Sequence, residues 1–313
     1  MASKPSPSRG GLGGDGFSRT PTSRTIEAIR LEYQPPHDFA NLLGFFARRA
    51  IPGVECVDEA GYRRIFVLGD TTGEFTVTQA KRGHALDLRI DGADAAHHPD
   101  IVARVRRMFD LDADIDAVNA HLGRRRHLKA CIARHPGQRL PGGWDGFEIA
   151  IRAVLGQQVT VAAARTLTER VVRRFGAEVT TAQGGKVRLF PTPATLADAD
   201  LGGLGITGAR IATLHAIAAA VRDGRVDFRA ERRLAEFVRL WTALPGIGEW
   251  TAHYLAMRGL AHADAFPAGD IVLRKAVAGD ARPFTARALE ELSQRWRPYR
   301  AYAVLHLWRS TMG

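Results

Sequence analysis

The sequence has very little cysteine: two residues, Cys56 and Cys131, in a chain of 313. They form no C-x-x-C pair, which argues against a structural zinc site, a cysteine-ligated iron–sulfur cluster and a disulfide framework. The longest nearly uniform apolar run, Ala216 to Val221, is far shorter than the roughly 20 residues that a membrane span needs. Residues 1–24 also lack the apolar core of a secretory signal. We therefore expect a cytoplasmic protein without a membrane partner.

Lysine is scarce as well, and arginine supplies nearly all of the positive charge. Lysine and arginine total 44 against 33 aspartate and glutamate residues, a net charge of +11. This surplus favours a polyanionic partner, with nucleic acid ahead of an anionic membrane surface. The alternative is that the charge only keeps an arginine-rich surface soluble. Apolar residues make up 45% and charged residues 25% of the chain, which is typical of a globular fold.

The chain divides into a polar tail, a strand-rich part and a helical part. Residues 1–24 are rich in glycine, serine, proline and arginine, and they cannot bury enough apolar surface to become ordered. Short segments between turn residues predict strands at 26–33, 63–68, 74–79 and 85–90, with one helix at 38–49. After Pro99 we expect only helices, at 144–155, 159–174, 211–221, 232–243, 249–260, 271–278 and 299–308. Gly224 is the expected C-cap of the 211–221 helix.

An acidic run from Asp110 to Asp116 imitates the first half of a calcium loop. Ile115 and His121 stand where that loop requires a glycine and a glutamate. We therefore interpret the run as the solvated start of a helix.

One short motif, Leu244-Pro245-Gly246-Ile247-Gly248, joins two predicted helices. Proline presets φ for the second position of a type II turn, and glycine supplies the positive φ of the third. Gly248 then lies at a helix N-terminus, where free backbone N–H groups and the helix dipole attract anions such as a DNA phosphate. Such a contact does not depend on base sequence. A Pro-Gly turn without this role is the alternative.

Asp270 opens another predicted helix. The ordinary interpretation is an N-cap, which stabilises a helix by about 1 kcal/mol. However, the helix that starts at Glu249 and the loop that follows it are long enough to bring Asp270 back to the hairpin.

The hairpin motif followed about twenty residues later by Gly269-Asp270 resembles the helix-hairpin-helix base-excision DNA glycosylases. The resemblance is closer to the bacterial 3-methyladenine DNA glycosylase II type, and it covers about residues 31–308. The further matching motifs are Tyr33-Gln34-Pro35-Pro36, Leu43-Gly44-Phe45, Phe109-Asp110-Leu111, Arg139-Leu140-Pro141-Gly142, Val154-Leu155-Gly156-Gln157, Phe190-Pro191-Thr192-Pro193, Gly248-Glu249-Trp250-Thr251-Ala252 and Trp296-Arg297-Pro298-Tyr299-Arg300.

This resemblance implies an α+β fold in three parts behind a disordered tail at residues 1–24. A small antiparallel-sheet domain occupies 25–118. A helical domain with the helix-hairpin-helix occupies 141–260. Residues 119–140 and 261–313 form a second all-helical subdomain that closes an active-site cleft. The protein would be a monomer, nucleoid-associated when bound to DNA.

The implied function is that of a monofunctional DNA glycosylase in base excision repair. It would flip out alkylated purines, such as 3-methyladenine and 7-methylguanine, from double-stranded DNA and hydrolyse their N-glycosidic bond. Hypoxanthine and ethenoadenine stay open as further substrates. Two other interpretations remain: a non-catalytic helix-hairpin-helix DNA-binding protein, and a glycosylase for other damaged or deaminated bases.

The resemblance also assigns roles to single residues. Asp270 would be catalytic, stabilising an oxocarbenium-like sugar and guiding water. Aromatic faces suit a cationic base, and the pocket candidates are Tyr254, Trp308, Phe45 and Trp250. The turn Leu244 to Gly248 would bind phosphate. Lyase-active relatives carry a lysine where this chain has Trp250, and an ideal helix turns Lys275 away from Asp270, so we expect no lyase activity.

Two features of the implied site are less usual. Gln158 takes the place of the family's apolar wedge; it can occupy the gap left by a flipped base, although its desolvation opposes insertion. The alternative is that Gln158 is a surface helix cap. No cofactor is expected to be required, although the resemblance suggests a structural monovalent cation held by carbonyls of Thr242, Leu244 and Ile247.

Overall fold

The computed structural model describes residues 28–180, 184–229, 233–279 and 281–311; the predicted tail lies outside these ranges. The first part of the described chain is a five-stranded antiparallel sheet in the order β1-β5-β4-β3-β2, which confirms the predicted sheet. The strands are β1 (Ile29–Glu32), β2 (Glu55–Val57), β3 (Gly61–Leu68), β4 (Thr71–Gln79) and β5 (Ala85–Asp91). Within this sheet, β2 is the strand that the sequence did not predict, because three residues are too few to show an alternating pattern.

Helices are the predominant elements of the described chain, and the predicted helical second half is confirmed apart from one small hairpin. They are α1 (Phe39–Ala47), α2 (His98–Phe109), α3 (Ile115–Leu122), α4 (Lys129–Arg134), α5 (Gly146–Leu155), α6 (Val161–Phe175), α7 (Pro193–Ala197), α8 (Gly208–Arg222), α9 (Leu234–Thr242), α10 (Glu249–Gly259), α11 (Ile271–Ala278), α12 (Ala286–Ser293) and α13 (Arg300–Ser310). α11 has the bounds that the sequence predicts.

A small hairpin interrupts the helical part. β6 (Glu178–Thr180) and β7 (Lys186–Arg188) pair antiparallel between α6 and α7, so the prediction of helices alone is wrong here. Val179 pairs with Val187 in this ladder, and β-branched residues favour strands. Gly184 has a φ of +81°, which a continuing helix does not allow.

Gly224 ends α8 in the predicted way. Its φ is +67°. The Gly224 N–H donates to the Val221 carbonyl at 3.1 Å, and the Arg225 N–H donates to the Ala220 carbonyl at 2.8 Å. This pair of bonds is the Schellman pattern, in which glycine follows the last helical residues. The predicted C-cap is therefore confirmed.

The acidic run after α2 is only partly solvated. Asp114 caps α3, where its side chain accepts the Ala117 N–H at 3.0 Å, as expected for a helix start. Asp110, in contrast, is buried, and its carboxylate accepts the Leu140 N–H at 2.8 Å and the Tyr302 hydroxyl at 2.9 Å. Burial raises the pKa of Asp110 to about 6. The interpretation as a solvated run is wrong for Asp110, because its backbone, with φ of 54°, turns the side chain into a contact with α13.

α1 packs on the sheet through aromatic side chains. Its N-cap is Asp38, whose carboxylate accepts a backbone N–H at 3.0 Å. The Phe46 ring lies 5.1 Å from the Tyr62 ring and 5.2 Å from the Phe109 ring, centroid to centroid. Trp144, just before α5, packs into the same core.

A buried ionic cluster joins the sheet to α5. Arg64 on β3 contacts Glu148 on α5, and its Nη1 lies 3.1 Å from Oε1 of Glu55 on β2. The Arg152 guanidinium bonds Glu148 at 2.7 Å and also donates to the Arg49 carbonyl, two residues after α1 ends. The cluster therefore fixes the position of the end of α1 relative to α5.

One continuous apolar core runs through the helices, from Ile115 on α3 to Leu307 on α13. The domain boundaries expected at residues 118, 140 and 260 stay predictions. Within the described ranges, no helix combines the length and apolar character that crossing a membrane requires.

Candidate active site

The turn between α9 and α10 is anchored by two apolar side chains. Leu244 and Ile247 are 7% and 5% exposed, and the Leu244 carbonyl accepts the Ile247 N–H at 3.2 Å. Gly246 has a φ of +78°, which the third position of a type II turn needs. A Cβ on Gly246 would lie 2.0 Å from Oγ1 of Thr213 on α8. The turn thus has the geometry that the motif predicts.

The start of α10 is open to solvent. Gly248 is its N-cap, with φ of −90° and ψ of 173°, and no atom beyond its chain neighbours lies within 4 Å of where its Cβ would be. Pro245 and Gly248 are both exposed. The first N–H groups of a helix lack helical partners and carry the positive end of its dipole. An anion can therefore approach this backbone, and its identity as a DNA phosphate stays a prediction.

Gln157 braces the turn, a contact that the sequence did not indicate. Its Nε2 donates to the Gly246 carbonyl and to Oγ1 of Thr251, both at 3.3 Å. The Gln157 carbonyl in turn accepts from the Arg210 guanidinium. The residues after α5 are therefore tied to the hairpin.

Asp270 caps α11 and receives two further bonds from tryptophan side chains. Its Oδ1 accepts the Leu273 N–H at 2.9 Å and the Trp308 Nε1–H at 3.3 Å. Its Oδ2 accepts the Trp250 Nε1–H at 2.8 Å. Three elements, α10, α11 and α13, thus fix a half-buried carboxylate next to the hairpin.

Two aromatic rings on α10 extend this site. Trp250 and Tyr254 stack with their centroids 5.4 Å apart and their planes 7° apart. Since the Trp250 indole also donates to Asp270, it joins the carboxylate to the aromatic stack.

Three of the four predicted pocket residues lie around a side chain that the sequence did not identify, Arg258. Its guanidinium carbon lies 4.7 Å from the centroid of Phe45, 5.3 Å from that of Tyr254 and 5.9 Å from that of Trp308. Phe45 also has the Arg49 guanidinium carbon 3.9 Å from its centroid. The sequence gives one signal for Arg258, because it follows Tyr254 by one helical turn, but that spacing does not indicate the contact with Phe45.

The positive charges change the electrostatics of the pocket. Burial lowers the pKa of Arg49 to about 10, so it is still charged at neutral pH. Burial raises the pKa of the Tyr254 phenol, but the positive charges of Arg258 and Arg49 outweigh burial and leave that pKa below its usual value. The pocket is therefore cationic as well as aromatic.

Gln158 lies in the loop between α5 and α6. It is exposed and has a φ of +55°, a left-handed conformation for a residue with a side chain. Gly156 caps α5 and Thr160 caps α6, so Gln158 itself is not a helix cap. Its role as a wedge stays a prediction.

The other predicted features are less well defined. Lys275 is exposed on α11. Of the three carbonyls expected to hold a cation, that of Leu244 already accepts the Ile247 N–H. The described ranges contain no group of three or more histidine, cysteine, aspartate or glutamate residues that could hold a metal ion. A hairpin cation therefore stays a prediction.

A separate cavity of about 680 Å³ lies between α9 and the neighbouring face of α10. Its lining includes Glu249, His253, Asp264 and Arg300. Asp270 does not line it, so this cavity is not the candidate active site.

Comparison with known proteins gives a consistent result along the chain. Residues 28–145 match the AlkA N-terminal domain, and residues 151–298 match the HhH-GPD superfamily of base excision DNA repair proteins. The chain is 34% identical over 281 residues to DNA-3-methyladenine glycosylase 2 of Escherichia coli, covering 89% of this chain and 95% of that protein.

Two further similarities extend the comparison. The chain is 38% identical over 291 residues to a probable bifunctional transcriptional activator/DNA repair enzyme AlkA of Mycobacterium tuberculosis. That match covers 93% of this chain but only 58% of the relative's length. The structure of a 3-methyladenine DNA glycosylase from Archaeoglobus fulgidus shares the fold, with a TM-score of 0.77 at 20% identity over 89% of this chain and 96% of that one.

Proposed function

Because this chain belongs to the HhH-GPD superfamily of base excision DNA repair proteins, we propose that it is a DNA glycosylase that excises alkylated purines from duplex DNA. The observation that carries the proposal is the Asp270 carboxylate, held by Trp250 and Trp308 at the start of α11 and beside the hairpin. Its substrates are purines alkylated on a ring nitrogen, with 3-methyladenine and 7-methylguanine as the first candidates.

The hairpin would bind the DNA backbone first. The N–H groups at Gly248 and at the start of α10 donate to a phosphate oxygen, and Gln157 holds the turn in place. Flipping a nucleotide out of the duplex costs a few kcal/mol of stacking. Phosphate and pocket contacts offset that cost, and Gln158 is the residue we propose for the gap in the duplex.

Bond cleavage then places charge on the sugar. The C1′–N bond breaks with its electron pair going to the base, and C1′ becomes an oxocarbenium-like cation. The Asp270 carboxylate stabilises this cation, and a water molecule adds to C1′ as its proton passes to the carboxylate or to solvent. An alkylated cationic base leaves neutral, so no general acid is required.

We propose that the reaction stops at the abasic site. A lyase step needs an amine that forms a Schiff base with the sugar. Trp250 occupies the family position of that amine, and its indole nitrogen donates to Asp270 instead. We also propose that no cofactor is required, a structural monovalent cation on the hairpin carbonyls of Thr242, Leu244 and Ile247 being the only addition.

The first test is release of free bases from methylated duplex DNA, in the presence of chelator and resolved by chromatography. Asp270→Asn keeps an N-cap but loses the negative charge, so we expect excision to fall at least about 10²-fold with duplex binding within a few-fold of wild type. Asp114→Asn is the matched control, because Asp114 is also a helix N-cap but lies on α3. We expect this control to retain full activity.

The outcomes separate the competing functions. Full activity of Asp270→Asn would remove Asp270 from the catalytic role. No release by wild type despite tight duplex binding would support a non-catalytic DNA-binding protein. Release of deaminated bases alone would make the protein a glycosylase for other lesions.

A further inference from the structure

Arg258 is a buried cation that forms no ion pair with a carboxylate in the described ranges. Its side chain is 5% exposed on α10. Its Nη1 donates to the Pro141 carbonyl at 2.9 Å, whereas its Nε has no hydrogen-bond partner within the described ranges. No carboxylate in these ranges forms an ion pair with it, and Tyr254 is its main electrostatic partner. Burying an unpaired charge opposes folding, so the position of Arg258 calls for an explanation other than stability.

Arg258 also lies among the aromatic rings of the proposed base pocket. The centroids of Phe45, Tyr254 and Trp308, the proposed pocket rings, lie 4.7 to 5.9 Å from its guanidinium carbon. Trp308 itself donates to Asp270. A base held by these rings would therefore lie with a negative charge on its sugar side and a positive charge behind it.

This arrangement matches the movement of charge during the reaction. When the C1′–N bond breaks, its electron pair moves from the sugar to the base, so the base gains one negative charge whatever its initial charge. A cationic base becomes neutral and is released from repulsion by Arg258. A neutral base becomes an anion and gains attraction. To first order the fixed charge lowers both barriers by the same amount.

The two classes of base differ before the bond breaks. A cationic base is already repelled by Arg258 when it binds. The charge of Arg258 therefore does not raise its kcat/KM, which compares free reactants with the transition state. A neutral base is not repelled when it binds, so the full lowering of the barrier by Arg258 raises its kcat/KM.

Resting on the proposed function, we propose that Arg258 is a specificity-determining residue that favours leaving bases that start neutral over those that start cationic. Its positive charge opposes Asp270 across the glycosidic bond. The Arg49 guanidinium, which also lies over the Phe45 ring, adds to the same positive potential. The substrate class that benefits is the uncharged purine lesion, for which hypoxanthine in a duplex is a suitable probe.

The test compares Arg258→Met with wild type on two duplexes of the same sequence, one with 7-methylguanine as the cationic base and one with hypoxanthine. Single-turnover rates at increasing enzyme concentration give the maximal rate and the half-saturating concentration. We expect the maximal rate to fall at least about 10-fold on both, because one unit charge at an effective dielectric constant near 20 has an effect of at least this size within about 12 Å. The half-saturating concentration should fall by a similar factor for 7-methylguanine and stay constant for hypoxanthine.

Two further variants separate charge from packing. Arg258→Lys keeps the charge, so it should keep the wild-type ratio of the two efficiencies even if both decrease. Arg104→Met is the matched control, because the Arg104 guanidinium carbon also lies 5.1 Å from an indole centroid, that of Trp144, outside the pocket. It should leave the ratio unchanged.

The result that would overturn the proposal is an equal loss of efficiency on both substrates in Arg258→Met, because loss of packing alone does not depend on base charge. A changed ratio in Arg258→Lys equal to that in Arg258→Met would overturn it too. If wild type releases neither base, the proposed function fails instead. Thermal unfolding of each variant identifies any that do not fold, and Arg258→Gln, which also removes the charge, takes the place of Arg258→Met if that variant does not fold.

Discussion

Each oxygen of the Asp270 carboxylate has a different set of donors. Oδ1 accepts two N–H groups, from Leu273 and Trp308, whereas Oδ2 accepts one, from Trp250. A carboxylate oxygen can accept two such bonds. Oδ2 therefore keeps a lone pair available for water or for the sugar cation, and Trp250 determines where that lone pair points.

We predict that Trp250→Phe lowers excision by about 10-fold or more without loss of fold. Phenylalanine preserves the stack on Tyr254 but removes the Nε1–H that orients Oδ2, and orientation of a preorganised charged group is a large part of catalysis. Single-turnover release of 7-methylguanine measures the effect. Trp241→Phe is the control, since its buried Nε1 has no hydrogen-bond partner in the described part of the chain. Equal rates for Trp250→Phe and wild type would show that Asp270 needs no such support.

At the scale of elements, some residues of the hairpin anchor it in the core and others are exposed to solvent. Leu244 and Ile247 are buried, and Gly246 approaches α8 too closely for any side chain. Gly248 has no such restriction, because its φ of −90° suits any residue and the space beside it is open. A side chain at Gly248 can therefore change binding without changing the fold.

We predict that Gly248→Asp weakens duplex binding at least about 10-fold while the free energy of unfolding stays constant or rises. Aspartate is a favourable N-cap for α10, but its negative charge lies where a phosphate would bind. Fluorescence anisotropy with an undamaged duplex, beside thermal unfolding, measures both effects. His97→Asp places the same charge at the N-cap of α2, and we expect it to bind DNA normally. Unchanged binding by Gly248→Asp would place the phosphate contact elsewhere.

The elements also show what sequence patterns can predict. Asp270 before α11 and Pro245-Gly246 before α10 are local signals, because a cap or turn depends on a few neighbouring residues. Arg258 could not be identified in the same way, since its role depends on Phe45, more than two hundred residues earlier in the chain. Asp110 had a misleading pattern for the same reason: its partner Tyr302 comes from the last helix.

At the scale of the whole molecule, burial shifts the pKa values of several titratable groups. Burial lowers the pKa values of His37, His253 and His306 to about 4. His306 is the extreme case, because it is 1% exposed and neither ring nitrogen has a hydrogen-bond partner in the described residues. Burial also raises the pKa of Asp110 to about 6.

These shifts have opposite effects on stability. A histidine whose folded pKa of about 4 lies below its unfolded value of 6.5 binds more protons when unfolded, so it lowers the free energy of unfolding as pH falls from 6.5 towards 4. Asp110 binds more protons when folded between pH 3.8 and about 6, so it raises the free energy of unfolding over that range as pH falls. Three histidines outweigh one aspartate.

We therefore predict that the protein loses stability between pH 6.5 and pH 5, and that His306→Phe loses less. At pH 5 the buried neutral imidazole of His306 costs about 2 kcal/mol relative to neutral pH, and phenylalanine fills a similar space without titrating. Urea unfolding at the two pH values gives the difference for each protein. Asp110→Asn should show the opposite change, a steeper loss than wild type, because it removes the one group among these four that opposes the histidines. If His306→Phe and wild type lose the same free energy, burial does not lower the pKa of His306 in the folded protein. Its ring nitrogens must then reach a hydrogen-bond acceptor or water when the imidazole is protonated.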